Sequence, residues 1–197
     1  MAALQDGNEA ALAELITLWQ PALVRFVFRY VQNETDAREI VHEAFVRLHA
    51  RRRNFRRGAA FSAWIFAIAA NLAHNHVRWR RRHPGEVFRR DDGGAHFTEE
   101  VCRAPAPDEH ALESERVRAV RSAIARLPHD LKTTLLLFEY EELSYREIAA
   151  VVGCSEKGVE ARLSRARARL REMLAEYLGG NAALLVEPVI PIGTREA

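Results

Sequence analysis

Residues 144–172 constrain the fold most, because they predict two helices separated by a glycine. Ser144 and Glu147 have the spacing of a capping box, which marks the start of the first helix. Gly153 stands where that helix would end in a left-handed conformation, and Ser155 can cap the next helix. Two helices joined by such a tight turn indicate a helix-turn-helix, a motif that places its second helix in the DNA major groove.

The second of these helices combines an apolar stripe with a row of arginines. The stripe recurs at helical spacing and predicts a face buried against a core, while the row predicts a basic face beside it. The stripe consists of Val159, Leu163, Ala166 and Leu170, and the row of Arg162, Arg165 and Arg169, with Arg167 and Arg171 further round. The alternative is a solvated helix whose arginines pair with Glu160 and Glu172 at neighbouring turns.

The chain has 197 residues, which is enough for one ordinary domain or two small ones. Its apolar share of 48% supports packed cores. The net charge of +2 conceals local basic clusters, and such clusters matter more to a polyanion than the total charge does. The clusters are Arg51, Arg52, Arg53, Arg56 and Arg57, and then Arg78, Arg80, Arg81 and Arg82.

The cysteine count and the apolar runs predict the compartment. Cys102 and Cys154 are the only cysteines, and we interpret both as free thiols in a reducing cytosol. The N-terminus lacks the basic and apolar regions of a signal peptide. We expect no uninterrupted apolar stretch near the ~20 residues of a membrane span. The sequence therefore predicts a soluble cytoplasmic protein without membrane insertion.

Apolar residues recur at helical spacing in nearly every periodic segment, and no run alternates like a strand, so we predict an all-α fold. The first predicted helix covers about 9–30, with a kink or break at Pro21. The second begins at Thr35 or Asp36, and the third covers about 61–82.

Composition then divides the chain. Residues 83–108 are rich in Pro and Gly, as linkers are, and a second helical block follows them. We therefore predict two small helical domains, 1–82 and 109–178, joined by a flexible linker over 83–108 and followed by a tail over 179–197.

The third predicted helix carries aromatic and amide side chains beside the arginine clusters. Aromatic rings stack on unpaired bases, and asparagine can read exposed base edges. The combination suits a separated strand or a flipped base. Alternatively, the aromatic residues belong to the core. The residues concerned are Phe61, Trp64, Phe66, Asn71, Asn75 and Trp79.

At this point the chain resembles a known family. The segments DAREIVHEAFVRLHA and NFRRGAAFSAWIFAIAANLAHNHVRWRRR are similar to region 2 of the extracytoplasmic-function sigma factors, and 126–172 is similar to their region 4. The resemblance covers roughly 9–82 and 109–177. It implies a specificity subunit that directs RNA polymerase to promoters in a stress or envelope response, needs no cofactor and leaves catalysis to the polymerase. The implied partners are core RNA polymerase, through its β′ clamp helices and β flap, promoter DNA and an anti-sigma factor.

The resemblance also implies roles for individual residues. The helix 36–49 would dock on the polymerase clamp, the loop and helix from 55 onward would bind the melted −10 element, and the helix 156–169 would enter the −35 major groove. The implied polymerase contacts are Asp36, Glu39, His42, Glu43 and Arg47. The implied −10 contacts are Phe55, Arg56, Phe61, Trp64, Asn71, Asn75 and Arg78. The implied −35 contacts are Lys157, Glu160, Arg162, Arg165 and Arg169.

Two other classes of protein remain as alternatives. An enzyme is disfavoured because the chain lacks a Gly-rich phosphate loop and a nucleophile elbow. Its histidines match no zinc pattern, since no second cysteine pairs with Cys102, and we predict no metal site. The stronger alternative is a helix-turn-helix regulator that binds DNA without the polymerase, usually as a dimer on a palindrome.

Overall fold

The computed structural model describes the backbone of residues 1–83 and 107–175, and their side chains except in 107–115. All regular elements in these ranges are helical, which confirms the all-α prediction. Most of the predicted linker and the whole predicted tail lie outside the described residues. In chain order the helices are α1 (Ala2–Gln5), α2 (Ala10–Val31), α3 (Glu34–Ala50), a 3-10 turn (Arg52–Asn54), α4 (Phe61–Arg82), α5 (Pro107–Arg126), α6 (His129–Glu139), α7 (Tyr145–Val152) and α8 (Glu156–Leu174).

Helices α2, α3 and α4 form the first domain. Helix α2 continues through Pro21, so the predicted break is wrong there. Leu23 and Phe26 in its second half are fully buried, and this packing offsets the one backbone hydrogen bond that proline cannot donate. The rings of Phe26 and Phe66 meet edge to face, with centroids 5.3 Å apart, at the centre of the domain.

Local signals set the ends of α3 and α4. Helix α3 begins at Glu34, slightly before the predicted start, because the Asn33 side chain caps it by accepting from the Asp36 backbone N–H at 2.9 Å. Helix α4 covers Phe61–Arg82, as predicted.

Helices α7 and α8 form the predicted helix-turn-helix. The Ser144 hydroxyl accepts from the Glu147 backbone N–H at 3.3 Å, and the Glu147 carboxylate accepts from the Ser144 N–H at 3.0 Å. This is the complete capping box. Gly153 ends α7 with a φ of 67°, and Ser155 caps α8 by accepting from the Gly158 N–H at 3.2 Å. The stripe of α8 is buried through Val159, Leu163 and Ala166.

The two domains pack directly against each other, a contact that the sequence analysis did not predict. Helix α7 lies on α4, and α6 lies on α2. The Lys132 ammonium, in a side chain only 3% exposed, donates to the Tyr30 carbonyl at 2.6 Å. The Ser62 hydroxyl donates to the Glu147 carboxylate at 3.0 Å. A continuous apolar core therefore joins both domains.

Helix α2 requires a correction to the expectation about apolar stretches. The helix has 22 residues and contains an 18-residue window with a mean hydropathy of 1.4, so by length and composition only it could cross a membrane. In this protein the helix packs against α3, α4 and α6. Of that window 28% is buried, and its buried residues Leu23, Phe26 and Val27 contribute to the protein core.

Candidate nucleic-acid interface

Helix α8 presents four of the five predicted −35 contacts to solvent. They are Lys157, Glu160, Arg165 and Arg169. Arg162 differs, because its Nε lies 3.6 Å from the Asp130 carboxylate and its side chain is only 22% exposed. Arg162 therefore links α8 to α6 through an ion pair and does not belong to the exposed row of arginines.

A second arginine on α8 also points towards its own domain. The Arg167 guanidinium donates to the Glu139 carboxylate at 2.8 Å and lies over the Phe138 ring at 5.5 Å. Exposed Ser164 lies on the outer face seven residues after Lys157, and the sequence analysis missed it. The signal that could have found it is this i, i+7 spacing on the side of the helix away from the apolar stripe.

The loop after α3 holds the first predicted −10 contacts. Arg56 is exposed, whereas Phe55 is 8% exposed and packs against the rings of Phe61 and Trp64 at centroid distances of 6.1 and 5.2 Å. Phe61 and Trp64 are partly buried. Phe55 thus supports the loop from inside, and its ring is closed to stacking on a base in this conformation.

The outer face of α4 holds the remaining predicted −10 contacts. Asn71, Asn75 and Arg78 are all exposed, and their spacing of four and then three residues puts them on one side of the helix. Trp79, 45% exposed, stacks on the His83 ring at 4.9 Å beside this row. The structure therefore brings two amides, an arginine and an aromatic pair to one end of α4.

The predicted polymerase contacts on α3 fall into two groups. Asp36 faces α4, where its carboxylate accepts from Arg80 at 2.6 Å and pairs with His76 at 2.9 Å, and its side chain is only 13% exposed. Glu39 and His42 are exposed on the outer side. The other two, Glu43 and Arg47, form an ion pair at 2.7 Å with both side chains nearly half exposed.

An apolar groove of about 300 Å³ lies between α2 and α3 beside these outer residues. No sequence pattern indicates this groove, because each of its walls belongs to a different helix. Val46 at its edge is 49% exposed. The groove is lined by Leu12, Ile16, Gln20, Arg38, Val41, His42, Phe45, Val46 and His49.

The strongest electrostatic perturbations lie where the domains meet, away from the exposed basic faces. Burial, with the nearby His74, lowers the pKa of His129 to about 4. Burial also lowers the pKa of Lys132 to about 8 and raises the pKa of Glu141 to about 7. His129 stacks on His74 at 4.0 Å and shares a hydrogen bond of 2.6 Å with the Tyr30 hydroxyl.

No group of three histidine, cysteine or acidic side chains suited to a metal occurs in the described part of the chain. His74 and His76 point apart, the first to His129 and the second to Asp36. Cys154 is a free thiol, and Cys102 lies outside the described residues.

The fold and these surfaces define a two-domain helical DNA-binding protein with a helix-turn-helix in its second domain. Residues 15–83 match the family Sigma-70 region 2, and residues 117–170 match Sigma-70, region 4. The chain is 32% identical over 180 residues to the RNA polymerase sigma-H factor of Pseudomonas aeruginosa, covering 89% of this chain and 92% of the relative. It is 33% identical over 170 residues to the ECF RNA polymerase sigma-E factor of Haemophilus influenzae, covering 83% and 87%.

Two solved structures are also similar. One is CnrH in complex with the cytosolic domain of CnrY, with a TM-score of 0.65, 27% identity and coverage of 89% of this chain and 94% of that chain. The other is the sigma factor RpoE in complex with the anti-sigma factor NepR from Bartonella quintana, with a TM-score of 0.56, 27% identity and coverage of 83% and 96%. The chain belongs to the extracytoplasmic-function family of RNA polymerase sigma factors, and it is an alternative sigma factor.

Proposed function

We propose that this sigma factor acts in the cytoplasm, has no active site of its own, and contacts promoter DNA with two separate surfaces. The outer face of α8, with Lys157, Glu160 and Arg165, binds the −35 element as duplex. The outer face of α4, with Asn71 and Asn75, binds the melted −10 element. The observation that carries the proposal is the presence of both exposed faces, one in each domain.

The chemistry of the two faces supports this division. Basic side chains on α8 can contact phosphates, and a carboxylate such as Glu160 can accept from a cytosine amine in the major groove. Amides on α4 can read the edges of unpaired bases, and partly exposed rings such as Trp64 can stack on them. Arg78 and Arg56 supply phosphate contacts on either side of this region.

We propose that the outer side of α3 and the adjoining groove bind the β′ clamp helices of the polymerase. Exposed charges at Glu39 and His42 border apolar surface at Val46. A polar rim around an apolar centre is the usual anatomy of a protein interface. The second domain would reach the β flap. Asp36 contributes indirectly, by holding α3 against α4.

We further propose that an anti-sigma factor regulates the chain in a stress or envelope response. Of the two similar solved structures, one is a complex with the anti-sigma factor NepR and the other a complex with the cytosolic domain of CnrY. In this protein α7 packs on α4 and α6 on α2. A partner that binds both domains would hold the two DNA-binding faces in one fixed arrangement.

The deciding experiment is in vitro transcription with purified core polymerase on fragmented genomic DNA, followed by sequencing of RNA 5′ ends. We expect discrete start sites that share two upstream elements. Failure to stimulate the polymerase, together with binding to duplex DNA alone, would instead support the polymerase-independent helix-turn-helix regulator.

A further inference from the structure

A short N-terminal segment holds the loop that follows α3. Leu4 in α1 is fully buried. The neighbouring Gln5 amide nitrogen donates to two backbone carbonyls, those of Arg52 and Phe55, each at 2.8 Å. Both neighbours are carbonyl oxygens, so the nitrogen must face them. Gln5 therefore bridges the two ends of the 3-10 turn, about 50 residues away in sequence.

Ion pairs reinforce this attachment. Asp6 pairs with Arg57 beyond the turn. The Glu9 carboxylate lies 2.9 Å from Nε2 of His49, which precedes the turn, and 3.8 Å from a guanidinium nitrogen of Arg52, the first residue of the turn. These pairs are largely exposed and contribute little individually. The Gln5 bridge differs because water has little access to it. The Gln5 amide oxygen is buried without a hydrogen-bond partner, and Phe55 is 8% exposed, so water cannot readily replace the hydrogen bonds of the amide nitrogen.

The bridged turn carries side chains of the proposed single-strand surface. Phe55 packs beneath Phe61 and Trp64 at centroid distances of 6.1 and 5.2 Å, and Arg56 follows at the exposed side. A shift of the Phe55 backbone would therefore move the support under both rings. The central core at Phe26 and Phe66 does not depend on Gln5, because it is built by α2 and α4.

We propose that Gln5 is a positioning residue for single-strand recognition. It fixes the backbone of the turn so that Arg56, Phe61 and Trp64 are aligned for an unpaired base of the −10 element. This inference rests on the proposed function of that surface. Gln5 itself lies behind the turn and does not contact DNA.

The test uses holoenzyme reconstituted from the full chain and core polymerase, with fluorescent single-stranded −10 oligonucleotides from the mapped promoters. The loss of two neutral hydrogen bonds of about 1 kcal/mol each corresponds to a loss of affinity of about 30-fold. Relaxation of the turn in the variant would make the measured loss smaller. We expect Gln5→Ala to weaken binding of the strand by about 5- to 20-fold. Gln5→Glu should weaken it further, because a carboxylate would face two carbonyl oxygens. Affinity for core polymerase and for −35 duplex should stay within about 2-fold.

Two further variants separate positioning from folding. Gln5→Met nearly keeps the side-chain volume and removes the amide donor together with the amide oxygen, which has no hydrogen-bond partner, so it serves if Gln5→Ala lowers the unfolding temperature. Asn8→Ala is the matched control, because Asn8 accepts from the Ala10 N–H at 3.1 Å in the same segment and makes no hydrogen bond to the turn. We expect Asn8→Ala to bind the strand like the wild type.

A scan with abasic oligonucleotides gives a readout that would not change if Gln5 had a purely structural role. The position where base removal costs the wild type most identifies the captured base. On a strand lacking that base, the penalty of Gln5→Met should shrink to less than about 2-fold. An equal penalty on intact and abasic strands, or none on either, would overturn the inference. If the wild-type holoenzyme itself fails to bind any −10 strand, the proposed function of the surface fails first.

Discussion

Asp36 stabilises the fold, although it lies on the helix that the resemblance assigns to polymerase contact. It lies in the first turn of α3, where a negative charge is favourable next to the helix N-terminus. Its carboxylate also accepts from Arg80 at 2.6 Å and pairs with His76 at 2.9 Å across the α3–α4 interface. The sequence shows an acidic residue at a helix start, but its partners lie 40 and 44 residues away. That is why the resemblance, without the fold, placed Asp36 among the implied polymerase contacts.

Replacing Asp36 by Asn should destabilise the protein by about 1–2 kcal/mol, since hydrogen bonds to charged groups contribute about 1.5–3 kcal/mol and these are partly exposed. Urea unfolding measures the loss. Glu43→Gln is the control, because it removes an ion pair whose side chains are nearly half exposed, and it should cost at most about 0.5 kcal/mol. Equal losses for the two variants would contradict the role assigned to Asp36.

At the scale of elements, the helix-turn-helix was the most predictable part of the molecule. Its signals are local: a capping box at Ser144, a left-handed glycine at 153 and a serine cap at 155. Burial was less predictable. The Arg162 side chain is 22% exposed and Phe55 is 8% exposed, because burial on a helix or loop depends on which neighbouring element covers it. Periodicity identifies a buried stripe but not the long side chains that fold back beside it.

The turn between α7 and α8 requires the left-handed conformation of Gly153, at φ 67°. Gly153→Ala should therefore cost about 1–2 kcal/mol, since a Cβ is strained there even though no atom lies within 4 Å of it. Gly158→Ala is the comparison, because its φ is not positive and its Cβ would meet Cys154 Sγ at 3.1 Å. The helix propensity of alanine offsets part of that contact by up to about 1 kcal/mol. Denaturant unfolding should rank Gly153→Ala as the less stable variant, and the reverse order would refute the account of the turn.

Substitutions of two arginines on opposite sides of α8 should separate effects on DNA binding from effects on stability. Arg165 is exposed on the outer face, so Arg165→Ala should weaken promoter binding by the holoenzyme and reduce the salt slope of binding by about 1. Arg167→Ala should leave that slope unchanged and lower stability by up to about 1 kcal/mol, because it removes the contacts with Glu139 and Phe138. Titrations of duplex DNA at several salt concentrations distinguish the two. A shared reduction in slope would mean that Arg167 also reaches a phosphate.

At the scale of the whole molecule, the contact between domains is the feature that sequence reasoning could not supply. Tyr30 and His129 are 99 residues apart, and Ser62 and Glu147 are 85 apart. Two amphipathic blocks separated by a Pro- and Gly-rich segment predict two domains but contain no information about how they pack. Lys132 donates to a backbone carbonyl. The sequence around the other residues at the contact carries no pattern that indicates an interface.

The Ser62–Glu147 contact gives a way to open this arrangement. Burial alone would raise the pKa of the Glu147 carboxyl, but hydrogen bonds from Ser144 and Ser62 lower it, so it is ionised at neutral pH. Ser62→Glu would place two carboxylates together, and like charges in an interface cost several kcal/mol. Small-angle scattering of the free protein should show an increased radius of gyration. Thr17→Glu, at an exposed position of α2, is the control and should leave it unchanged.

Two buried groups at the domain contact should have opposite effects on the stability of the protein as pH changes. Burial raises the pKa of Glu141, whose side chain is 5% exposed, from 4.5 to about 7, although Arg25 and Arg29 lower it. The folded protein therefore holds a proton there that the unfolded chain releases, and this contribution to stability decreases as pH rises between those values. His129 acts in the opposite sense, because its pKa falls from 6.5 to about 4 and its neutral form is favoured in the fold. Its contribution is complete above about pH 6.5 and is lost as pH falls towards 4.

Glu141→Gln should reveal the contribution of His129 to the pH dependence of stability. We expect the free energy of unfolding of this variant to rise with pH between about 5 and 6.5 more steeply than that of the wild type, by up to about 1.4 kcal/mol per pH unit. His129→Gln should change the slope in the opposite direction, because only the Glu141 contribution would remain of the pair. Urea unfolding of the three proteins across this range measures both slopes. Parallel curves for wild type and Glu141→Gln would mean that Glu141 keeps its charge on folding, and that its ion pair with Arg29 at 3.7 Å outweighs its burial.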